Sequence, residues 1–418
     1  MDQRQASNTT HPPADGGQAA REYGAVGRWL SLLAVYIVFL GLTEAKLWRP
    51  DTLYIGAANV QIAEAQAWWN GQLDLPERWH DTALVDGKVY SHFPLMFSLV
   101  SAALVPMLGG VPHWFVVLVV LTVPFLIYEL FRSLLKSPVW SAVIAIGYLC
   151  GTSTWRVLEQ TIRTCSPYYV NITLAGIGLT ILLMELYGRK RVWVAGLGLI
   201  IATLSRQLTV AFALPLAFMA LRGCPAEKRR SRSVALAVVG VIVVGLPLVS
   251  NTLKFGHPLQ TGYKLIYEGR EDNFAQDALT HGIFSPQFVP RNLYYTNIGL
   301  PRFHRITMAG EEQVHIRPNT VCTGIWWTTP LLLWLFIDLR RILAEPVGRW
   351  LLLGALVVYA ALLFFHATGA YQRGYNRFSL DYMLVLFAVI APTCFVGRRR
   401  WISVVMIGWS VVYFRWLI

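Results

Sequence analysis

Charged residues are scarce in this sequence: Asp, Glu, Lys and Arg make up 14% of the 418 residues, whereas apolar residues make up 55%. An ordinary soluble domain has about 25% charged residues. The sequence also lacks a Walker loop, a dinucleotide-binding G-x-G-x-x-G motif and a G-x-S-x-G nucleophile motif. These absences leave chemistry on ATP or on a soluble nucleotide sugar without support.

Metal-ligand patterns are absent as well. The five cysteines form no C-x-x-C pair, so we expect small buried residues, with a bridge between Cys150 and Cys165 as an open alternative. No H-x-H or H-x-x-x-H pair occurs among the histidines His80, His92, His257, His281 and His366. The sequence therefore gives no positive signal for a cofactor, and a divalent cation near Asp51 and Asp81 stays an open alternative.

Apolar runs dominate what is present. Many of them are roughly 17–20 residues long, the length that a helix needs to cross a bilayer. The 16 Trp and 18 Tyr are typical of the aromatic belts at membrane interfaces. Residues 1–25 are polar and without periodicity, which predicts a disordered cytoplasmic tail. The sequence thus predicts an all-α polytopic membrane protein, with residues 26–418 as a single transmembrane domain.

The basic connectors indicate on which side of the membrane each span begins and ends, because short cytoplasmic loops are enriched in Lys and Arg. Five connectors are basic: residues 132–137, 188–191, 222–232, 338–349 and 397–400. All five fall on the inner side only if the proline-bracketed run at 94–110 enters the outer leaflet and returns without crossing. This distribution accounts for the net charge of +13 without a nucleic-acid partner.

The resulting count is about eleven spans, with the N-terminus inside and the C-terminus outside. The spans are expected near residues 28–43, 113–131, 138–152, 167–187, 192–206, 207–221, 233–250, 321–337, 350–367, 380–396 and 401–417. Two outer loops are large, residues 44–112 and 251–320, and the second is expected to cover a cavity as a lid. No ionisable residue lies near the middle of a predicted span, which argues against an ion-coupled transporter.

The first outer loop combines a helical and a hairpin pattern. Apolar residues recur every three to four positions from Leu53 to Trp69, which predicts an amphipathic helix on the membrane surface with Asp51 as its N-cap. Asp86-Gly87 is a strong hairpin-turn dipeptide, so Asp86 is interpreted as a turn residue. Asp81 precedes the hairpin and is not required for a turn, which makes it a candidate site residue.

Several segments, taken in order, resemble the GT-C membrane glycosyltransferases. A carboxylate follows the first span, and then come the surface helix, "HDTALVDGKVY" at 80–90 and an apolar run, as in the first outer loop of that superfamily. "KFGHPLQTGY" (254–263), "HGIFSPQFVPRNLYY" (281–295) and "GYNRFSLDYML" (374–384) are similar to segments of uncharacterised bacterial members. The superfamily includes protein mannosyltransferases and the aminoarabinose transferase, and the resemblance covers most of the chain.

The resemblance implies an outward-facing cavity in which a sugar moves from a polyprenyl-phosphate carrier to an acceptor. It implies Asp51 as the general base, because the base of the family is an acidic residue soon after the first span. Asp81 is interpreted as an assisting carboxylate, and Glu44 is the nearest other one. The family often shows a paired acidic motif where this chain has Asp51-Thr52, so the identity of the base stays open.

Cations near the donor phosphate would stabilise the charge that develops as the sugar leaves, and the planar fork of arginine binds two phosphate oxygens. The candidate donor-phosphate residues lie in outer loops or at outer span ends: Arg206, Arg377, Arg373, Arg163, Tyr263 and Lys264. The alternative for each is a snorkelling interface residue or a structural salt-bridge partner.

Together these observations predict a glycosyltransferase of a bacterial inner or plasma membrane, with its active site on the extracytoplasmic face. Its expected partners are a polyprenyl-phosphate sugar and membrane lipids, and the acceptor is not assigned. Two alternatives remain, a lipid or solute transporter and a non-catalytic membrane assembly protein.

Overall fold

The computed structural model describes residues 15–43, 53–54, 59–308, 311–317, 319, 321–369 and 375–417. The first ten α-helices are α1 (Asp15–Leu42), α2 (Val60–Trp69), α3 (Met96–Leu108), α4 (His113–Leu135), α5 (Pro138–Cys150), α6 (Thr154–Thr164), α7 (Pro167–Tyr187), α8 (Val192–Ser205), α9 (Ala213–Leu221) and α10 (Ala226–Gly240). They are followed by α11 (Leu246–Phe255), α12 (Asn273–His281), α13 (Val289–Leu293), α14 (Ile325–Thr328), α15 (Trp334–Ile337), α16 (Leu339–Ala344), α17 (Pro346–Phe364), α18 (Leu380–Cys394) and α19 (Arg399–Val412).

Strands occur in the described residues only as three short antiparallel pairs. The strands are β1 (Leu53–Tyr54), β2 (Thr82–Val85), β3 (Lys88–Ser91), β4 (Val111–Pro112), β5 (Arg302–Met308) and β6 (Glu311–Arg317). They pair as β1 with β4, β2 with β3 and β5 with β6. The β2–β3 hairpin confirms the predicted turn, because Val85 pairs with Lys88 around Asp86 and Gly87. Both turn residues have positive φ angles, 49° and 76°, as this tight turn requires.

Six helices in the described part of the chain are long and apolar enough to cross a membrane, as a multi-pass helical membrane protein requires. They are Ala25–Leu42, His113–Leu135, Pro167–Tyr187, Ala226–Phe255, Pro346–Phe364 and Arg377–Cys394. The predicted count of eleven spans is not confirmed. The helices at the predicted spans 138–152, 192–206 and 207–221 are shorter, and the predicted span 321–337 is divided around Pro330 into short helical pieces.

α1 and α4 pack side by side in opposite directions. Arg28 Nε donates to Glu129 Oε1 at 3.0 Å, and the Tyr36 hydroxyl donates to the Leu121 carbonyl at 2.6 Å. The end of α1 and the start of α4 therefore lie at the same end of this helix pair. The intervening segment returns to the end from which it starts, which is the path that a non-crossing run at 94–110 requires. α1 itself begins at Asp15, within the predicted disordered tail of residues 1–25.

α2 differs from the predicted surface helix of Leu53–Trp69. Its N-cap is Asn59, whose side chain accepts a hydrogen bond from the backbone of the helix, whereas the predicted N-cap Asp51 lies outside the described residues. Residues 60–65 are all buried, Glu64 among them. The expectation of an amphipathic helix on the membrane surface is wrong for this segment, because its polar side chains have buried partners on other helices.

Two breaks in the helices shape the candidate site. α8 ends at Ser205, Arg206 has an extended backbone (φ −146°, ψ 96°), and a 3-10 segment, Gln207–Phe212, leads into α9. A second 3-10 turn, Arg377–Ser379, precedes α18, and the side chain of Asn376 caps it by accepting from the Ser379 N–H. Each break places an arginine at a helix end.

Candidate functional site

A cavity of about 300 Å³ lies where the hairpin, the start of α7, the break after α8, the loop before α12 and the turn before α18 meet. Its lining residues are His80, Asp81, His92, Tyr168, Ile172, Arg206, Tyr263, Ile266, Tyr267, Arg270, Phe274, Phe365, Ala367, Arg377 and Phe378. Aromatic side chains form much of the wall, and the arginines and an aspartate supply charge. Mostly apolar walls with a few polar groups are typical of small-molecule sites.

Four of the residues singled out in the sequence line this one cavity: Asp81, Arg206, Tyr263 and Arg377. They come from four separate parts of the chain. Their shared cavity was not implied by any local pattern, since only the packing of the helices brings these segments together.

Other candidate residues lie elsewhere. Arg163 is on α6, where it forms an ion pair with the buried carboxylate of Glu159 at 3.4 Å. Lys264 is exposed and is not among the lining residues of the cavity. Asp51, Glu44 and Arg373 lie outside the described residues.

Asp81 stands at the base of the β2–β3 hairpin and has a left-handed backbone, with a φ of 63°. The N–H of Thr82 donates to the carbonyl of Trp79 at 3.3 Å, so Asp81 is itself part of a tight turn, which the sequence did not lead us to expect. Aspartate tolerates this backbone region better than most residues. Its carboxylate lies 3.0 Å from His80 Nδ1 and 3.5 Å from Arg270 Nη1, so both oxygens have cationic or hydrogen-bonding neighbours.

Arg206 is held by Asp381 in the first turn of α18. Its Nε donates to Oδ1 at 2.8 Å and its Nη2 donates to Oδ2 at 2.7 Å. The Asp381 side chain is 2% exposed, and that of Arg206 is 17% exposed. Two parallel, charge-assisted hydrogen bonds of this kind fix the plane of a guanidinium group.

Arg377 is surrounded by aromatic rings. Its guanidinium carbon lies 5.3 Å from the ring centroid of Tyr168 and 5.4 Å from that of Phe378, which are cation–π distances. Within the described ranges, no ion pair of Arg377 with a carboxylate is found. Among the described residues, Arg377 is thus an arginine of the cavity wall that is packed on aromatic rings and has no carboxylate partner.

Tyrosine hydroxyls add hydrogen-bonding groups to the wall. Burial raises the pKa of Tyr263, so its hydroxyl is protonated at neutral pH. The ring of Tyr263 packs edge-on against His92 and Phe365, with centroids 4.7 and 5.8 Å apart. The Tyr267 hydroxyl lies 2.8 Å from Nε2 of His366. The cavity can thus offer donors to the oxygens of a sugar or a phosphate.

The structure adds charged residues that sequence reasoning missed. Asp381 was quoted within a resemblance motif but given no role, although it lies only four residues after Arg377, in the first turn of α18. Glu64 and Lys254 form a buried ion pair that joins α2 to α11. Glu64 is the only charged residue between positions 52 and 73, and this isolated charge was the available signal. Arg270 carried no signal, because it lies in a polar loop.

Metal ligands are not grouped in the described part of the chain, where no set of three His, Cys, Asp or Glu side chains could hold an ion. Asp51, the residue near which a divalent cation stayed an alternative, is outside that part. The five cysteines are free and buried.

Two buried histidines near the cavity should make the fold less stable at acidic pH. Burial lowers the pKa of His92 to about 4, and burial together with the charge of Arg291 lowers that of His366 to about 4. The unfolded chain, with histidine pKa values near 6.5, therefore binds more protons than the folded chain as the pH falls from 7 to 5. We expect the free energy of unfolding to decrease by up to about 2 kcal/mol per histidine at pH 5.

The melting temperature in detergent, measured from pH 7 to pH 5, checks this expectation. The His366→Gln variant should lose part of the dependence, because glutamine keeps a hydrogen-bonding group for Tyr267 but does not titrate. An identical pH dependence in the variant and the wild type would contradict the assignment.

No protein-family model and no curated protein matches the sequence. A solved structure that is similar to this chain is the Archaeoglobus fulgidus oligosaccharyltransferase in the apo form, with a TM-score of 0.46 and 11% identity. The match covers 94% of this chain and 55% of that one, so the chain spans about half the length of the solved structure.

Proposed function

We propose that this chain is a membrane glycosyltransferase of the GT-C type, which moves a sugar from a polyprenyl-phosphate carrier to an acceptor at the outer face of a membrane. The observation that carries the proposal is the composition of the cavity, where Arg206 and Arg377 accompany Asp81 among aromatic rings. The order of the sequence motifs supports the same class.

The arginines suit a lipid-linked phosphate as the leaving group. When the acceptor oxygen bonds to the anomeric carbon, the bond between that carbon and the phosphate oxygen breaks, and its electron pair leaves with the polyprenyl phosphate. The phosphate then gains negative charge, which guanidinium groups in a cavity shielded from water stabilise. Aromatic walls such as Tyr168 and Phe365 offer apolar faces to the sugar and to the start of the lipid.

A carboxylate completes the reaction by taking the proton of the acceptor hydroxyl as it attacks. We assign this role to Asp51, with Asp81 assisting and Glu44 as the nearest other carboxylate. The assignment of Asp51 rests on the resemblance alone, whereas that of Asp81 is supported by its place in the cavity wall.

Transfer from a radiolabelled polyprenyl-phosphate sugar to a membrane lipid extract, by the full chain purified in detergent, tests the proposal. Detergent micelles have no compartments, so a transporter would give no product. We expect a labelled product and free polyprenyl phosphate in equal amounts. Failure across polyprenyl-phosphate sugars that the chain is shown to bind would favour transport or assembly instead.

Arg377→Gln is expected to lower kcat by about 10²–10³-fold, the usual cost of removing one preorganised group that stabilises developing negative charge. The reason is that the Arg377 guanidinium lines the cavity, where it can stabilise the negative charge that develops on the donor phosphate. Steady-state kinetics of sugar transfer in detergent measure the effect. The matched control is Arg163→Gln, which removes an arginine on the outer side that is paired with Glu159 away from the cavity. Equal losses in both variants would contradict the phosphate role of Arg377.

A further inference from the structure

The ion pair between Arg206 and Asp381 joins two parts of the chain that are 175 residues apart. It uses Nε and Nη2 of the guanidinium group, which leaves Nη1 and its two protons outside the pair. Asp381 therefore occupies one edge of the Arg206 fork and leaves another edge for a ligand. Since Asp381 is 2% exposed, the carboxylate itself offers little surface to a substrate.

The start of α18 sets Arg206 beside the second arginine of the cavity. Arg377 opens the 3-10 turn that leads into α18, and Asp381 follows four residues later in the first turn of α18. The guanidinium carbons of Arg206 and Arg377 lie 5.1 and 5.4 Å from the same ring centroid, that of Phe378. One buried helix start thus carries one arginine and anchors the other.

We propose that Asp381 is a positioning residue, which holds Arg206 next to Arg377 so that the two guanidinium groups act as one clamp on the donor phosphate. Two cations near one ring repel each other, and without a fixed partner Arg206 would turn away toward water. The carboxylate of Asp381 opposes this repulsion and fixes the guanidinium plane. This inference rests on the proposed function, and it assigns to Asp381 no contact with the reacting atoms.

A role as a simple charge balance leads to a different expectation. If Asp381 only offset the charge of Arg206, its removal would leave the cavity more positive, and a phosphate would bind more tightly. If Asp381 positions Arg206, its removal weakens binding despite the added positive charge. The two roles therefore differ in the sign of the change.

Binding of decaprenyl monophosphate to the full chain in detergent, measured by titration calorimetry, tests the inference. We expect Asp381→Asn to weaken binding about 10- to 100-fold, the equivalent of one lost charge-assisted hydrogen bond. The matched control is Asp338→Asn, which removes another carboxylate, one that pairs with Arg399 at 2.8 Å and does not line the cavity. The control should bind like the wild type.

Two further variants separate positioning from charge and from general damage. Asp381→Glu keeps the charge but moves the carboxylate by one methylene, so positioning predicts weaker binding and charge balance predicts wild-type binding. In an Arg206→Gln background, Asp381→Asn should have no further effect on binding, because Asp381 acts through Arg206.

Unchanged or tighter binding in Asp381→Asn would overturn the inference, and so would a full additional loss in the Arg206→Gln background. Either result leaves the proposed function standing as long as the wild type binds decaprenyl monophosphate. A wild type that binds none overturns the proposed function and this inference together.

Discussion

Asp51→Asn is expected to lower the rate of sugar transfer by about 10²–10⁴-fold, the range over which a positioned general base accelerates a reaction. Asparagine has nearly the same shape but cannot take the proton of the acceptor hydroxyl, so the attacking oxygen stays a weak nucleophile. The melting temperature in detergent should stay close to that of the wild type. The measurement is kcat/KM with a labelled polyprenyl-phosphate sugar, and wild-type activity in the variant would remove Asp51 from the mechanism.

The same substitution at Asp81 should have a smaller effect. Both oxygens of Asp81 already have neighbours, His80 at 3.0 Å and Arg270 at 3.5 Å, so this carboxylate is less available to an acceptor hydroxyl. Asparagine also tolerates the left-handed backbone at this turn. A larger loss for Asp81→Asn than for Asp51→Asn would reverse the two roles.

Asp86→Asn is the control for both aspartates. It removes a carboxylate from the same loop, but Asn-Gly fits the two-residue hairpin turn as well as Asp-Gly does. Transfer should therefore be unchanged. A substantial loss in this variant would mean that the loop responds to its total negative charge and not to one base.

Hydropathy in the sequence was enough to predict the long apolar helices. The antiparallel packing of α1 and α4 is compatible with the non-crossing run at 94–110, which stays a prediction. A helix that crosses a bilayer needs about 20 consecutive apolar residues, so such helices can be recognised in a sequence by their apolar runs. Whether the shorter helices, such as α5 and α8, cross the membrane could not be decided from hydropathy alone. A helix of 13 or 14 residues has the length of a partial crossing as well as of a buried connection, and packing against neighbours decides between them.

Four of the residues selected from the sequence line one cavity, Arg206, Arg377, Tyr263 and Asp81, but their contacts with one another and with other residues were not predicted. Their roles in the site stay predictions. The pairing of Arg206 with Asp381 could not be predicted, since nothing in one sequence relates two residues that are 175 positions apart. The sequence also placed Arg163 among the candidate phosphate residues, although it pairs with Glu159 only four residues away on α6.

α2 shows why the periodicity of a sequence does not distinguish a buried helix with polar residues from a surface helix. Apolar residues recur along it every three to four positions, as in a surface helix, but its polar side chains contact other buried groups. Gln61 accepts a hydrogen bond from Asn171 at 2.7 Å, and Glu64 accepts one from Ser98 at 2.5 Å. Polar residues that are hydrogen-bonded to other residues can be buried at modest cost. The sequence pattern alone therefore does not show whether a polar side chain contacts water or another residue.

Lys254→Met is expected to lower the free energy of unfolding by about 3–5 kcal/mol, because it leaves the carboxylate of Glu64 buried without a counter-charge. The side chains of Glu64 and Lys254 are 1% and 4% exposed, so water cannot replace the lost partner. Lys254 Nζ also donates to the carbonyl of Ser91 at 3.2 Å, and Ser91 pairs with Thr82, the residue after Asp81. Sugar transfer should therefore fall together with stability.

The double variant Glu64→Met/Lys254→Met separates the cost of an unpaired charge from the value of the pair. It removes both charges, so it should be clearly more stable than Lys254→Met alone, since apolar residues often replace a buried ion pair at little cost. Lys88→Met is the matched control, because Lys88 is a lysine of the β2–β3 hairpin in an exposed ion pair. Its Nζ lies 3.9 Å from Asp74, and its side chain is 61% exposed. Exposed ion pairs contribute little to stability. Denaturation in mixed detergent micelles measures all three variants. If the double variant were as unstable as Lys254→Met, the loss would come from packing around Lys254 and not from the stranded carboxylate.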